Sequence, residues 1–240
     1  LWSRESGESQ LATDPFFTAF GPSFSPDGNY LYYISDREFA PQIGSFEWNY
    51  VVNNESYLYG VALNKEAENP FAPRNDEVKV KQEKESKKED KDEGEVSVTV
   101  DFDGLTQRTF KVPVDADNYS WVDVTDKHIL YVSSGPFYYG RASDRTADLY
   151  AYDIEKRKAE KLIEDINGLS VADGSEYIIV QSGSKYQRVT IANKDDTKDI
   201  STKNMVVHRA PSDEWLVAFD EVWRRFRDYF YVENMHGYDW

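Results

Sequence analysis

"FSPDGNYLYYISDR" occupies residues 24–37, and the fold turns on how it is read. Its first half suits a type I turn: Pro26 presets φ at the second position, Asp27 bonds locally, and Gly28 closes the turn. Its second half alternates, with Tyr30, Tyr32 and Ile34 on one side and Leu31 and Tyr33 on the other. Both rows are apolar or aromatic, which predicts a strand covered on both faces. No base or oxyanion device stands beside the turn, so Asp27 reads as a turn residue and not as an acid or a ligand.

The same device returns twice. "VDVTDKHILYVSS" (122–134) and "LSVADGSEYIIVQS" (169–182) also pass from an Asp-centred turn into an apolar strand. After each unit a second strand follows a loop: "SYLYGVAL" (56–63), "ADLYAYDI" (147–154) and "YQRVTIAN" (186–193). A further strand then follows in "TQRTFKVPV" (106–114), "KAEKLIE" (158–164) and "TKDIST" (197–202). Asp126 and Asp173 are 47 residues apart, close to the ~40–50-residue period of propeller blades, each a four-stranded antiparallel sheet. Asp27 and Asp126 are 99 apart, so the first unit carries an insertion. That insertion is "RNDEVKVKQEKESKKEDKDEGEV" (74–96). Its composition cannot bury enough apolar surface to offset ordering entropy, which predicts a disordered, solvated excursion. Its lysines are matched by acids, so a nucleic-acid role is a poor reading.

The bulk numbers agree with a β-rich domain. The chain has 240 residues, of which 15% are aromatic and 40% hydrophobic. Net charge is −16, from 28 basic and 44 acidic residues. That balance argues against nucleic acid and anionic membrane surfaces as partners. There are no cysteines, which excludes disulfides, thiolate zinc sites and cysteine nucleophiles. No run approaches the ~20 apolar residues of a membrane span. The chain begins with Leu1 and ends in "GYDW", and it reads as a piece of a longer protein or a processed one. A cytoplasmic and a cell-envelope location fit the composition equally.

After Met205 the period changes. In 211–231, Trp215, Phe219, Val222, Trp223, Phe226 and Phe230 fall at helical spacing. Ser212 is the expected N-cap, preceded by Pro211, with Asp213 and Glu214 in the first turn where the helix dipole favours anions. The predicted organisation is therefore mainly β: about three propeller blades over 1–205, then a helix opening a second domain over 206–240.

Candidate chemistry is sparse. "VDFDGL" (100–105) and "VDADNY" (114–119) resemble pieces of a calcium loop, but position twelve counted from Asp101 is Val112 where a bidentate Glu is required. His128, His208 and His236 share no metal-ligand spacing and read as structural. No G-x-S-x-G elbow and no Gly-rich phosphate loop occurs. No cofactor or metal is expected. "GPFYYGRASDR" (135–145) places aromatics beside Arg141 and Arg145, a pairing able to grip a substrate carboxylate. These two arginines are the substrate-binding candidates, against a plain exposed loop as the alternative.

The order of motifs resembles the tricorn protease family. It runs from "FSPDGNYLYYISDREF" through "SYLYGVAL…NPFAPRNDE" and "VDFDGLTQRTFKVPVDADNY" to "EWLVAFDEVWRRFRDYFYVENMHGYDW". The resemblance covers most of the chain from about Phe16. It implies large serine peptidases built from two β-propellers, a helical catalytic subdomain, a PDZ domain and a second catalytic subdomain. This chain would supply the last blades of the second propeller and the first helix of the first catalytic subdomain. The catalytic histidine and serine would lie beyond it, and His236 does not match the family's catalytic motif. The implied role is to filter or channel unfolded peptides towards catalytic subdomains of a homo-oligomeric parent. Two alternatives stand beside it: a non-enzymatic TolB-like propeller that binds proteins or peptides, and the propeller of a prolyl-oligopeptidase-like hydrolase. Three blades cannot close a propeller, which needs at least four, so the blades use a partner, stand as an incomplete sheet array, or belong to an intact parent protein.

Overall fold

The computed structural model describes residues 1–4, 7, 9–38, 42–43, 50–74, 98–136, 143, 145–171 and 176–240. The predicted disorder of the insertion, Asp173 and Arg141 all lie outside the described residues. The chain divides into two compact units, Leu1–Ile200 and Ser201–Trp240.

The first unit holds three four-stranded antiparallel sheets in series. In chain order the strands are β1 (Thr18–Phe24), β2 (Tyr30–Asp36), β3 (Gln42–Ile43), β4 (Tyr50–Val51), β5 (Ser56–Ala62), β6 (Thr109–Lys111), β7 (Asn118–Val124), β8 (His128–Ser134), β9 (Asp148–Asp153), β10 (Lys158–Ile163), β11 (Gly168–Val171), β12 (Tyr177–Ser182), β13 (Lys185–Thr190) and β14 (Asn193–Ile200). The sheets run β1-β2-β5-β6, β7-β8-β9-β10 and β11-β12-β13-β14, with β3-β4 as a separate ribbon. Each sheet thus begins with the strand before the repeated turn, and in the first two sheets that turn joins the first two strands. The expected strand at 106–114 is only three residues long, because a 3-10 turn at Leu105–Arg108 precedes it.

The opening turn forms as its residues dictate. The Gly28 N–H donates to the Ser25 carbonyl at 2.9 Å, and Gly28 takes φ 71°, a conformation glycine adopts without penalty. Asp27 accepts from the Ser25 hydroxyl at 2.5 Å, from the Asn29 N–H at 3.0 Å and from its amide at 2.9 Å. All of its bonds are local.

Packing follows the alternation read from β2. Tyr32 and Ile34 join Leu58, Phe110, Tyr119, Val122, Tyr131 and Tyr152 in the core between the first and second sheets. On the other face, Leu31 and Tyr33 pack with Val61, Leu63, Leu105 and Ala12. A third cluster joins Leu130, Val132, Leu149 and Ala151 of the second sheet to Ile178, Val180 and Val189 of the third. Gly60 sits where a methyl group would fall on the Phe110 ring and crowd Tyr32 at 3.1 Å, so a larger residue there would disturb the first interface.

The excursion between β5 and β6 is tied down at both described ends. Arg108 donates to the carbonyls of Ala62 (3.0 Å), Leu63 (3.2 Å), Asp103 (2.9 Å) and Asp101, closing the returning loop onto the end of β5. The outgoing segment, 68–74, crosses to the second sheet. Phe71 meets Phe110 and Tyr152 edge to face, each at 5.8 Å between ring centroids. Arg157, in the β9–β10 turn, donates to the carbonyls of Pro70 (3.1 Å) and Ala72 (2.7 Å), and Arg74 donates to the Glu155 carbonyl.

The second unit contains helix α1 (Pro211–Tyr229). Its N-cap is Ala210 in an extended conformation, and Pro211 is the first helical residue. The Ser212 cap expected from the sequence is therefore displaced: Ser212 lies inside the first turn, and its hydroxyl points to Asp213 at 3.4 Å. Pro at the first position accounts for this, since its φ is preset for the helix and its missing N–H is a donor the first turn leaves unpaired anyway. Trp240 folds back on the helix, donating from Nε1 to the Trp223 carbonyl at 2.9 Å and stacking on Phe226 at 5.4 Å. Trp215, Phe219 and Val222 remain exposed.

Candidate functional site

Between the first two sheets lies a groove of about 390 Å³. One wall is the linker 113–117, which carries the chain from β6 into β7; the other is formed by β8, β9 and the start of β10. The linker is pinned to β5 by main-chain bonds: Val112 N–H to the Leu58 carbonyl (2.9 Å), and Asp117 with Ser56 in both directions (3.1 Å each). Period-2 alternation then points Tyr119, Tyr131, Tyr150 and Tyr152 to the same side. Tyr131 and Tyr150 stack at 5.2 Å with planes 3° apart, and Tyr119 meets Tyr131 edge-on at 5.3 Å. The Tyr119 hydroxyl donates to the Asp115 carbonyl at 2.6 Å. Burial pushes the Tyr119 and Tyr131 phenols well above the ordinary tyrosine range, with nearby tyrosines and aspartates adding to it.

One end of the groove is a charged node. Arg145 forks onto Asp117, Nη1 to Oδ1 and Nη2 to Oδ2, both at 2.9 Å. The buried Ser133 hydroxyl donates to Asp117 at 2.6 Å and accepts from Arg145 at 2.7 Å. Burial alone would raise the Asp117 pKa, but the bonds from Arg145, Ser133 and the Asn118 N–H outweigh it and hold the carboxyl below its ordinary value. Arg145, singled out as a carboxylate grip, does grip a carboxylate, and it belongs to this chain. Its partner Asp117 is 28 residues away in sequence, and no local signal announces a pair of that separation.

The groups of the node satisfy one another. Ser133 has a carboxylate beside it, but one whose lowered pKa makes it a weak base at neutral pH. Among the described residues no histidine is hydrogen-bonded to a serine. His128 lies 4.0 Å from Asp153, and burial, opposed by that aspartate, keeps its pKa below the ordinary value. His236 contacts the Tyr231 hydroxyl at 2.6 Å in the second unit, and His208 is exposed. The aspartates of the calcium-like stretch are engaged elsewhere: Asp101 accepts from the Lys65 N–H at 2.8 Å, and Asp103 pairs with the Lys65 ammonium at 3.0 Å. Among the described residues no three acidic or histidine side chains gather as a metal site would require.

Three serial four-stranded antiparallel sheets, packed face to face and followed by a helical unit, define a segment of a β-propeller protein. Comparisons with known proteins agree. Residues 1–192 match the family model for the tricorn protease second beta propeller domain, and residues 211–240 match that for the tricorn protease C1 domain. The chain belongs to the tricorn protease family. It is 26% identical to tricorn protease homolog 1 of Streptomyces coelicolor, covering 95% of this chain and 23% of that protein. It is 22% identical to the tricorn protease of Thermoplasma volcanium, over 87% of this chain and 19% of that one. A crystal structure of the tricorn protease superposes with a TM-score of 0.74 at 19% identity, over 98% of this chain and 22% of that chain. The chain thus spans about a quarter or less of the relatives it matches. No helix among the described residues is long and apolar enough to cross a membrane.

Proposed function

We propose that this chain is the propeller-and-helix portion of a tricorn-type serine peptidase, and that its blades filter or channel unfolded peptides towards catalytic subdomains carried on other segments of the parent protein. The observation that carries this reading is the order of two family matches on one chain, second propeller and then C1. In the parent, an activated serine with a general-base histidine and an oxyanion hole would perform acyl transfer. The groove supports a binding role for the blades, since half-buried Tyr150 lies on its lining with exposed Lys158 and Ala159. Arg141 and Arg145 remain the proposed contacts to substrate carboxylates, with Arg145 acting through the in-plane N–H donors that Asp117 and Ser133 leave unused.

Two measurements on the purified chain test this. A fluorophosphonate probe for active serines should leave it unlabelled, and labelling would place the chemistry in this chain. Fluorescence anisotropy with an unstructured labelled peptide of about 12 residues should show saturable binding. A flat titration up to millimolar protein would remove the filtering role.

A further inference from the structure

The other end of the groove holds two polar groups that the fold leaves unsatisfied. Tyr152 is 1% exposed, and among the described residues its hydroxyl has no hydrogen-bond partner. Arg157, on the same lining, has a buried Nε–H without a partner, although its Nη2 is occupied by Pro70 and Ala72. Buried donors are rarely left this way, because the desolvation penalty is then uncompensated. Both groups donate: Nε–H can do nothing else, and burial raises the Tyr152 phenol, with Arg157 and Arg74 opposing, so it stays protonated. The matching ligand group is an acceptor, and a carboxylate answers two donors best.

The local charge permits an anion. Asp117 is offset by Arg145, Asp115 acts on Tyr119 and Tyr131 of the groove as well as on Lys111, and Arg157 and Lys158 supply two cations to the same lining. Tyr150 precedes Tyr152 by one pleat repeat, about 7 Å along β9, and its ring is stacked on Tyr131. A ligand that joins an aromatic ring to a short acid would answer the rings and the two donors together.

We infer that the groove between the first and second sheets binds a small aromatic carboxylate, its acid group on the Tyr152 hydroxyl and Arg157 Nε and its ring along Tyr131 and Tyr150. This site does not depend on the peptide-filtering role and is tested apart from it. The full 240-residue chain is titrated with phenylacetate and with phenylacetamide, followed by calorimetry and by amide shift mapping. Phenylacetate should bind with shifts around Tyr131, Tyr150 and Tyr152, and the amide should bind roughly tenfold more weakly. Tyr152→Phe should lower phenylacetate affinity about fivefold to tenfold while leaving the ligand-free Tm equal or higher, since it removes an unpaired buried hydroxyl. Equal binding of acid and amide, no binding of either, shifts confined to the helical unit, or an unchanged affinity in Tyr152→Phe each overturn the proposal. So does a ligand-free Tm several degrees lower in Tyr152→Phe, which would show the hydroxyl already satisfied within the fold.

Discussion

Asp117 accepts four hydrogen bonds: two from Arg145, one from Ser133 and one from the Asn118 N–H. Its neighbours come from β7, β8 and the loop between β8 and β9, so one carboxylate fixes three pieces of the second sheet. Asp117→Asn keeps the size but loses the charge that holds the arginine fork. Arg145 is partly exposed, so solvent screening reduces the effect. A loss of about 1–2 kcal/mol is expected, read as a fall of a few degrees in Tm. The pH dependence has a definite sign. The folded carboxyl titrates below its unfolded value of about 3.9, so its contribution is complete above that pH and is lost as pH falls through the lower folded value. Denaturant titrations should therefore show the wild-type advantage at pH 6 shrinking below about pH 4. A gap that is constant down to the lowest pH at which both proteins fold would exclude the ion pair as its source.

At the scale of elements, the 68–74 segment behaves as a strap from the first sheet's excursion onto the second sheet's β9–β10 hairpin. Arg157 is its buckle, and it is held at φ 53°, a conformation a non-glycine residue adopts at some cost. Arg157→Ala should release the Pro70 and Ala72 carbonyls and let Phe71 leave Tyr152. Amide exchange at Phe71 and Ala72 should then speed up roughly tenfold, with β8 and β9 unaffected. Arg157→Gly separates the two roles: it relieves the backbone cost and keeps the hairpin, yet should loosen the strap equally. Unchanged exchange in both variants would mean that Phe71 and Arg74 hold the strap without Arg157. The strap was not legible in "NPFAPR", which reads as a loop; the arginine that anchors it stands more than 80 residues later.

Across the first unit, the two outer sheet faces differ. The far face of the first sheet is covered by Leu1, Ala12, Val100, Phe102 and Leu105. The far face of the third sheet leaves Tyr177, Ile179, Tyr186 and Ile200 between 37% and 39% exposed, with Arg188 over the Tyr177 ring at 4.1 Å. A half-covered row of this kind is where another sheet would pack in a closed array. On its own the chain should self-associate through it, and Ile179→Lys should shift light-scattering mass towards the monomer at fixed concentration without lowering the Tm. If the variant self-associates as the wild type does, the contact lies elsewhere.

The sequence by itself determined the periodicities. Alternating apolar rows in 30–34 and 129–132 required strands covered on both faces, and the 3.6-residue stripe after Pro211 required a helix, because burial of each row is dictated by backbone geometry. Asp27 was legible as a turn residue for the same reason: all its partners lie within two positions. The helix cap was misplaced by local preference, since Ser212 is a good cap and only the proline beside it decides otherwise. What the tertiary structure alone decided is which distant groups meet. Arg145 found Asp117, Arg157 found the 68–74 strap, and Tyr152 was left with a buried hydroxyl and no partner among the described residues. Such pairings depend on the stacking of one sheet on the next, a long-range packing event that no window of local sequence encodes.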